Sequence, residues 1–376
     1  MNDLQERTRL CSVCYKMCRD FCSVAGATRH EADSPNHRAF FVEEIMHGKD
    51  TLRPEIVDYF YRCSMCKACR EACESGLDTS EIMLSARSDL SGELHPQRLK
   101  ILREKILTGT LYAQDSDMVR ALMAPRLAKP RKGKLLYLSP RLRSGDGGML
   151  KSTFSLLERL EVDYQVMKTE PSTGQLAYFL GFTKEARQMA QQFAQQIDAW
   201  QPTTLVVFSA DDLRMIKKEY PTLGIGLNVG TLQSLPEFLL EVFLAKRPSL
   251  SQKIPGPVTY HDSCALGREL RVFEAPRELL RMVPGIELKE MAFNRDQAPC
   301  CGYGMGLEIT HPEITLLMAR RLAGMAEDTG AKALVLGCPT CALVLNEALS
   351  SQERSQQAGG GIELLDLPSF LERMMQ

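Results

Sequence analysis

The sequence predicts a multidomain α+β protein, with a helical domain first and α/β units after it. Three observations predict this class. A chain of 376 residues is longer than one ordinary core requires. The cysteines are confined to three groups, two of them near the N-terminus. From residue 134 onward, short apolar runs alternate with helical patterns, which is typical of α/β layers with a mostly parallel sheet.

The N-terminal part is predicted to be helical between its cysteines. Phe40–His47 and Arg53–Arg62 have the apolar spacing of helices, and Pro54 suits a helix start. We place this domain at residues 1–93. A helical connector with a basic end follows at residues 94–133.

The rest of the chain contains the elements of the α/β units. Four apolar runs are predicted strands: Lys134–Leu138, Thr204–Phe208, Val258–His261 and Ala333–Leu336. Three periodic segments are predicted helices: Thr183–Trp200, Pro312–Glu327 and Cys341–Leu349. These elements divide into one unit at residues 134–250 and another at residues 251–376.

The cysteines indicate metal binding rather than disulfides. The chain has 13, an odd number, with four in residues 11–22, four in 63–73 and five in 264–341. A disulfide framework requires pairs and an oxidising compartment. Cysteines used as small apolar core residues would be scattered along the chain. Clustered thiols in a reducing compartment are more often metal ligands.

The first two groups indicate a ferredoxin-like domain. The second group, Cys63-x2-Cys66-x2-Cys69-x3-Cys73, has the bacterial ferredoxin spacing, and the first has one extra residue between its second and third cysteines. In this arrangement three thiolates cap one cluster and the fourth reaches the neighbouring one. We therefore expect one [4Fe–4S] cluster on Cys11, Cys14, Cys18 and Cys73. We expect a second on Cys63, Cys66, Cys69 and Cys22. Two structural zinc sites are the alternative.

The third group has a pattern of its own. Cys264, the triplet Cys300–Gly302 and the motif Cys338–Cys341 are separated by spacers of 35 and 36 residues. This pattern resembles the cysteine-rich "CCG" domain of heterodisulfide reductase B and D subunits. It is also similar to the C subunit of anaerobic glycerol-3-phosphate dehydrogenase and to the iron–sulfur subunits of lactate and glycolate oxidation. The phrase His261–Arg268 is similar to the family's segment around its first cysteine.

The resemblance implies a further cluster, a noncubane [4Fe–4S] cluster with five cysteine ligands: Cys264, Cys300, Cys301, Cys338 and Cys341. Zinc is the alternative, because thiolate ligands alone do not exclude it. The residues support a site here, since Cys264 and Cys338 each follow a predicted strand, at the edge where open α/β sheets bind ligands.

Two other features near this group have predicted roles. Gly302, Gly304 and Gly306 would let the backbone approach a metal closely. His261 is either a proton donor to a redox site or a strand-end residue satisfied by the backbone, and the second interpretation is favoured. No catalytic residue is assigned.

The two α/β units look like copies of one repeat. Leu205–Asp212 aligns with Leu334–Cys341, and Ser172–Gly174 falls where Cys300–Gly302 falls in the second copy. The first copy then lacks cysteines and is expected to bind no metal. Its corresponding positions carry hydroxyl and carboxylate groups, which are poor ligands for iron–sulfur clusters: Ser172, Thr173, Ser209 and Asp212.

The function implied by the resemblance is electron transfer. A net charge of −1 gives no reason to expect nucleic acid as a ligand. No flavin or nicotinamide motif is visible, so hydride chemistry would belong to another subunit. We expect a subunit that links a flavoprotein, either an FAD-dependent dehydrogenase or an electron-transfer flavoprotein, to an acceptor such as quinone. The alternative is a heterodisulfide or disulfide reductase acting at the noncubane cluster.

The expected location is the cytoplasm. No run approaches the roughly 18 apolar residues that cross a bilayer. Association with the inner face of the membrane would therefore occur through a partner.

Overall fold

The computed structural model describes residues 3–15, 17–90, 92–112, 115–127, 129–350 and 361–376. Its described residues up to 127 form helices and no strand. Proline at the first turn begins both α3 and α4. The helices are α1 (Asp3–Ser12), α2 (Ser23–Thr28), α3 (Pro35–Met46), α4 (Pro54–Tyr61), α5 (Ala68–Glu71), α6 (Thr79–Ser88), α7 (Gln97–Leu107) and α8 (Asp117–Met123).

The first α/β unit is built on a parallel sheet with the strand order β2-β1-β3-β4. Its strands are β1 (Lys134–Tyr137), β2 (Gln165–Val166), β3 (Thr204–Val207) and β4 (Thr231–Ser234). The helices between and after them are α9 (Pro140–Arg143), α10 (Gly148–Arg159), α11 (Gln175–Phe179), α12 (Thr183–Trp200), α13 (Ala210–Arg214), α14 (Tyr220–Thr222) and α15 (Leu235–Lys246).

The second α/β unit has a parallel sheet with the order β5-β6-β7. Its strands are β5 (Val258–His261), β6 (Ala333–Leu336) and β7 (Glu363–Asp366). Its helices are α16 (Glu274–Arg281), α17 (Leu307–Thr310), α18 (Pro312–Glu327), α19 (Pro339–Ser350) and α20 (Leu367–Met374). The mixed α and β architecture with parallel sheets is thus confirmed.

The apolar runs located the buried strands to within one residue, and α12 and α18 have their predicted bounds. The strands β2, β4 and β7 were not predicted. The reason is physical. The strands β4 and β7 lie at sheet edges and have polar residues at both ends, so neither is a continuous apolar run. The strand β2 is only two residues long. The helix predicted to begin at Phe40 begins at Pro35 instead.

The helical part packs directly against both α/β units. One apolar core includes Phe60 of α4, Leu205 of the first sheet and Leu336 of the second. The Tyr61 hydroxyl donates to the carbonyl of Leu180 at 3.3 Å. The loops that carry cysteines therefore meet the α/β units through a continuous interior.

The basic end of the predicted connector lies against the first α/β unit. Arg126 pairs with Glu158 at 2.7 Å and Arg131 pairs with Asp163 at 2.6 Å. Residues 113, 114 and 128 of the connector lie outside the described residues, as do residues 351–360 of the second unit. The four segment boundaries given above stay predictions.

Candidate metal centre

Cys73 lies with the first cysteine group in the folded chain. Burial raises the pKa of the Cys18 thiol to about 12, and Cys11, Cys22, Cys14 and Cys73 all add to the shift. Cys14 is exposed, and Cys18 and Cys73 are half-buried. We name these four residues the outer thiols: Cys11, Cys14, Cys18 and Cys73.

Cys22 lies with the second group. Burial raises the pKa of the Cys69 thiol well above its usual value, and the carboxylate of Asp78 together with the thiols of the group raises it further. We name this group the inner thiols: Cys22, Cys63, Cys66 and Cys69. Each of the two predicted sets of four cysteines is therefore brought together, with the fourth member contributed by the other sequence group.

The loop around the inner thiols is tightly wound. Met65 and Lys67 adopt left-handed backbone angles, with φ of 54° and 58°. The N–H of Met65 donates to Cys63 Sγ at 3.4 Å. The spacing of two residues between successive cysteines thus lets the backbone turn and direct N–H groups toward sulfur.

Three buried arginines surround the inner thiols: Arg38, Arg87 and Arg268. Arg38 Nη1 lies 3.9 Å from Cys22 Sγ. Arg87 donates to the carbonyl of Cys63 at 2.7 Å, and Arg268 donates to the carbonyl of Cys66 at 2.8 Å.

Within the described part of the chain none of these arginines forms an ion pair, although the carboxylate of Asp33 raises the pKa of Arg38 from a longer distance. Arg38 Nε and Arg268 Nη2 are buried without a hydrogen-bond partner. A buried cation left unpaired is strongly unfavourable. A metal–thiolate centre is anionic and rich in sulfur acceptors, so the residues present fit such a group.

The five cysteines of the third group converge between the carboxyl ends of β5 and β6, and each is at most 5% exposed. Cys264 Sγ lies 3.7 Å from Cys300 Sγ, and Cys301 Sγ lies 3.3 Å from Cys341 Sγ. Cys338 lies between the end of β6 and the start of α19. As these thiols stand, no three His, Cys, Asp or Glu side chains in the described ranges enclose a single metal ion. We name this group the five-cysteine site.

The environment of Cys338 favours its thiolate. A hydrogen bond with Cys341 lowers the pKa of Cys338 to about 6, against the opposing effect of burial. The Thr340 hydroxyl, 2.9 Å from Cys338 Sγ, lowers it further. Thiolate is the form that binds soft metals.

The inner thiols meet the five-cysteine site. Cys66 and Cys300 lie in one buried cluster, and each thiol shifts the pKa of the other. The N–H of Cys300 donates to the Ser23 hydroxyl at 2.8 Å, next to Cys22. Arg268 joins the two groups, since it donates to the carbonyl of Cys66 and its pKa is raised by the thiols of both groups, against the larger opposing effect of burial. The inner thiols and the five-cysteine site, although far apart in sequence, are therefore direct neighbours in the fold.

The glycines after Cys301 have a role that the sequence did not predict. Gly302, Gly304 and Gly306 have φ of 87°, 107° and 95°. A Cβ at Gly304 would collide with the carboxylate of Asp211, and one at Gly306 would collide with Leu180. Because both of those residues belong to the first α/β unit, the glycines let this loop pack against it.

Asp211 is a site residue that sequence reasoning missed. It is 3% exposed, and the Thr340 hydroxyl donates to its Oδ2 at 3.0 Å. Burial raises its pKa well above the usual range, and Cys338 adds to the shift while Arg141 opposes it. The alignment of the two repeats placed Asp211 opposite Thr340, and this correspondence could have identified Asp211 as a site residue.

Three of the four aligned positions of the first unit are linked to one another by hydrogen bonds. The Thr173 hydroxyl donates to the carboxylate of Asp212, whose N–H donates to the Ser209 hydroxyl at 3.3 Å. Ser172 accepts the N–H of Gly174 at 3.2 Å. The side chains therefore form a hydrogen-bond network across the carboxyl ends of β1 and β3.

The favoured interpretation of His261, in which the backbone satisfies its ring, was wrong. Its ring is 1% exposed, and neither Nδ1 nor Nε2 has a hydrogen-bond partner, from the backbone or elsewhere, in the described structure. Burial lowers its pKa, although nearby Cys301 acts in the opposite direction. The neutral ring lies beside the five-cysteine site.

Comparison with known proteins agrees with this arrangement. The family described as CCG, cysteine-rich domain, matches residues 258–346, which contain the five cysteines of the site. Lactate utilization protein A of Oceanobacillus iheyensis is 32% identical over 202 residues, covering 51% of this chain and 79% of that protein. The chain belongs to the CCG-domain iron–sulfur oxidoreductase family.

Similarity to this family extends beyond the matched domain. The D-type component of dihydromethanophenazine:CoB–CoM heterodisulfide reductase from Methanosarcina acetivorans is 26% identical over 300 residues, covering 76% of this chain and 72% of that protein. A crystal structure of a hypothetical protein from Helicobacter pylori superposes with a TM-score of 0.62 at 14% identity, over 90% of this CCG-domain chain and 68% of that one. The superposition supports the fold alone. Among the described residues, no helix has the length and apolar character needed to cross a membrane.

Proposed function

We propose that this CCG-domain protein is the electron-transfer subunit of an oxidoreductase complex. The observation that carries the proposal is that Cys66 of the inner thiols and Cys300 of the five-cysteine site lie in one buried cluster, where each thiol shifts the pKa of the other. Cys18 of the outer thiols in turn interacts with Cys22 of the inner thiols. Three groups of thiols thus form a row from the exposed Cys14 to the buried interior, as a relay of redox centres requires.

We further propose the occupants of the three groups. The outer thiols and the inner thiols each hold one [4Fe–4S] cluster, in a ferredoxin-like domain. The five-cysteine site holds a noncubane [4Fe–4S] cluster, with zinc as the alternative. The supports are the all-thiol donor sets, the buried arginines that form no ion pair among the described residues and the paired Sγ atoms of the five-cysteine site.

The two α/β units are proposed to be copies of one repeat. In both, two parallel neighbours, β1 with β3 and β5 with β6, carry polar or thiol side chains just beyond their carboxyl ends. The first copy would serve as a scaffold, since three of its four aligned positions are linked to one another by hydrogen bonds.

The outer thiols mark the side on which a redox partner would dock. Apolar side chains around the exposed Cys14 are themselves exposed: Leu10, Val13, Tyr15 and Met17. Exposed apolar patches are typical of protein interfaces. The proposed partner is a flavoprotein, either an FAD-dependent dehydrogenase or an electron-transfer flavoprotein, and the final acceptor is a species such as quinone.

Metal analysis of anaerobically purified full-length protein tests the occupants. The proposal expects about twelve irons and about twelve sulfides per chain, with no zinc. About eight irons and one zinc would make the five-cysteine site structural and end the relay at the inner thiols. The disulfide reductase alternative has its own assay, in which the isolated protein turns over a disulfide with an artificial electron donor.

A further inference from the structure

A cavity of about 960 Å³ opens beside the first α/β unit. Its walls come from the loop after α7, the turn after β1, the segment after β2 and one face of α12. Small-molecule sites occupy roughly 300–1,000 Å³. Open α/β sheets bind ligands beyond the carboxyl ends of their strands, where this cavity lies. Its place in the fold is therefore that of a ligand site, and none of the thiols lines it.

One buried carboxyl group in the wall lacks a partner. Glu170 is 9% exposed and lines the cavity. Its Oε1 accepts the N–H of Leu138 at 2.7 Å, while its Oε2 is buried without a hydrogen-bond partner. Burial raises the pKa of Glu170 to about 8. Near neutral pH the group is therefore mostly protonated, and its Oε2 has no acceptor for an O–H in the described structure.

The charges around the cavity favour an anion. Arg143 in the wall is neutralised by Asp115, which binds it through both carboxylate oxygens. Arg120 pairs with Asp117. Lys168 is exposed and forms no ion pair within the described residues. With Glu170 protonated, Lys168 is the cation in the wall that lacks a partner.

We propose that this cavity binds a small organic carboxylate, whose charge pairs with Lys168 and whose oxygen accepts a hydrogen bond from the carboxyl group of Glu170. Apolar side chains in the same wall provide contacts for a carbon chain: Leu107, Pro140, Pro171 and Met189.

The cavity leads toward the five-cysteine site. Tyr112 and Pro140 line both this cavity and a smaller one of about 50 Å³, which reaches Asp211 and Thr340. Thr340 Oγ1 is 2.9 Å from Cys338 Sγ. The smaller cavity thus connects this one to the neighbourhood of Cys338, and binding of a carboxylate here does not depend on the proposed electron transfer.

Calorimetric titration of the full chain tests the site at pH 7. The probes are straight-chain monocarboxylates: acetate, butanoate and hexanoate. Saturable binding of at least one probe is expected, and Lys168→Ala should weaken it by about twofold to fivefold, since one exposed charge pair is lost. Lys246→Ala removes an exposed lysine at the end of α15, outside the cavity wall, and should leave affinity unchanged. Absence of saturable binding, or equal binding by Lys168→Ala, overturns the proposal.

The pH dependence of binding tests the role of the Glu170 carboxyl group. The titratable groups that face Glu170 are Arg143, Asp115, Asp212 and Tyr137. Affinity should fall as the pH rises through about 8, because ionised Glu170 repels the anion. Glu170→Gln keeps a neutral donor, so it should bind within about twofold of the parent at pH 7 and lose this fall. A fall that persists in Glu170→Gln would overturn the assignment of Glu170.

Discussion

The outer thiols and the inner thiols each comprise four cysteines, but the two groups lie in opposite environments. The outer group includes the exposed Cys14, and the shift in pKa of Cys18 comes from burial and from neighbouring thiols. The inner group is more deeply buried, and guanidinium groups oppose that burial: burial raises the pKa of Cys63, while Arg38 and Arg87 act to lower it. The chain thus uses solvent near one group and buried cations near the other to stabilise negative charge.

This difference has a consequence for redox potential. Burial of a cluster disfavours its more negative, reduced state, and nearby positive charge favours it. Burial alone would therefore give the inner group the lower potential. The arginines offset that effect, so the two proposed clusters would have similar potentials and would exchange electrons in either direction.

The largest effect is expected for the substitution that tests whether each group takes its fourth cysteine from the other sequence group. Cys22→Ser removes a thiol that lies with Cys63, Cys66 and Cys69, so it should abolish or severely disturb the cluster signal of the inner group while the outer signal remains. Electron paramagnetic resonance of the reduced protein, with iron analysis, measures this. Cys73→Ser is the reciprocal control and should damage the outer signal. Loss of the outer signal alone in Cys22→Ser would contradict the crossing.

The next effect comes from Arg87, which makes the most hydrogen bonds of the three arginines around the inner thiols. Arg87 donates to the carbonyls of Phe60, Cys63 and Phe179 at 2.5–2.9 Å. Arg87→Gln removes the charge and most of these bonds, so we expect a loss of stability on the order of 3 kcal/mol. The potential of the inner group should fall while that of the outer group stays constant. Thermal unfolding and potentiometric titration followed by electron paramagnetic resonance measure the two effects.

An unchanged inner potential in a folded Arg87→Gln protein would show that burial and the remaining arginines dominate. If the variant does not fold, Arg38→Gln provides the same test, because Arg38 approaches the thiol of Cys22 but makes fewer backbone hydrogen bonds.

Sequence reasoning could predict the thiols but not their surroundings. Spacing alone indicated the two sets of four, because cluster ligands lie close together in sequence. The arginines come from three distant helices or turns and have no shared motif. The contact of Cys66 with Cys300 spans more than half of the chain. Such contacts depend on how α/β units and helices pack, which local periodicity does not encode.

The fold shows the same division. The buried strand β6 is a continuous apolar run, so the sequence predicted its bounds. The edge strand β7 carries Glu363 and Asp366 and has no such run. Likewise His261 was expected to bond to the backbone, because a strand-end position usually offers a carbonyl, yet packing beside Cys301 leaves its ring without one.

A smaller effect is expected when charge is kept and geometry changed. Arg38→Lys retains a buried cation near Cys22 but loses the planar guanidinium, which also donates to the carbonyl of Arg62 at 3.4 Å. The inner potential should move in the same direction as in Arg87→Gln, by less. Arg19→Lys is the matched control, because Arg19 is exposed and pairs with Glu31. A larger shift in Arg38→Lys than in Arg87→Gln would mean that hydrogen bonds to sulfur, rather than charge, tune the inner group.

The smallest effect is expected at the outer thiols, where the hydroxyl of Thr79 lies next to the buried sulfur of Cys11. Thr79 Oγ1 lies 3.6 Å from Cys11 Sγ, and Thr79 is 1% exposed. The helix α6 does not need this hydroxyl for its cap, because Asp78 accepts the N–H of Ser80. Thr79→Val keeps the branched shape, so stability should change by less than about 1 kcal/mol.

The potential should nevertheless respond, and in the outer group only. An O–H directed at a thiolate sulfur favours the reduced state, so its removal in Thr79→Val should lower the outer potential slightly. The inner potential should not move, because its thiols are stabilised by Arg38 and Arg87 rather than by this hydroxyl. Potentiometric titration of both signals in one sample makes the comparison internal. A shift of the inner signal equal to that of the outer one would mean that the potentials of the two groups change together. Solvent near the outer group and buried cations near the inner group would then not set the two potentials separately.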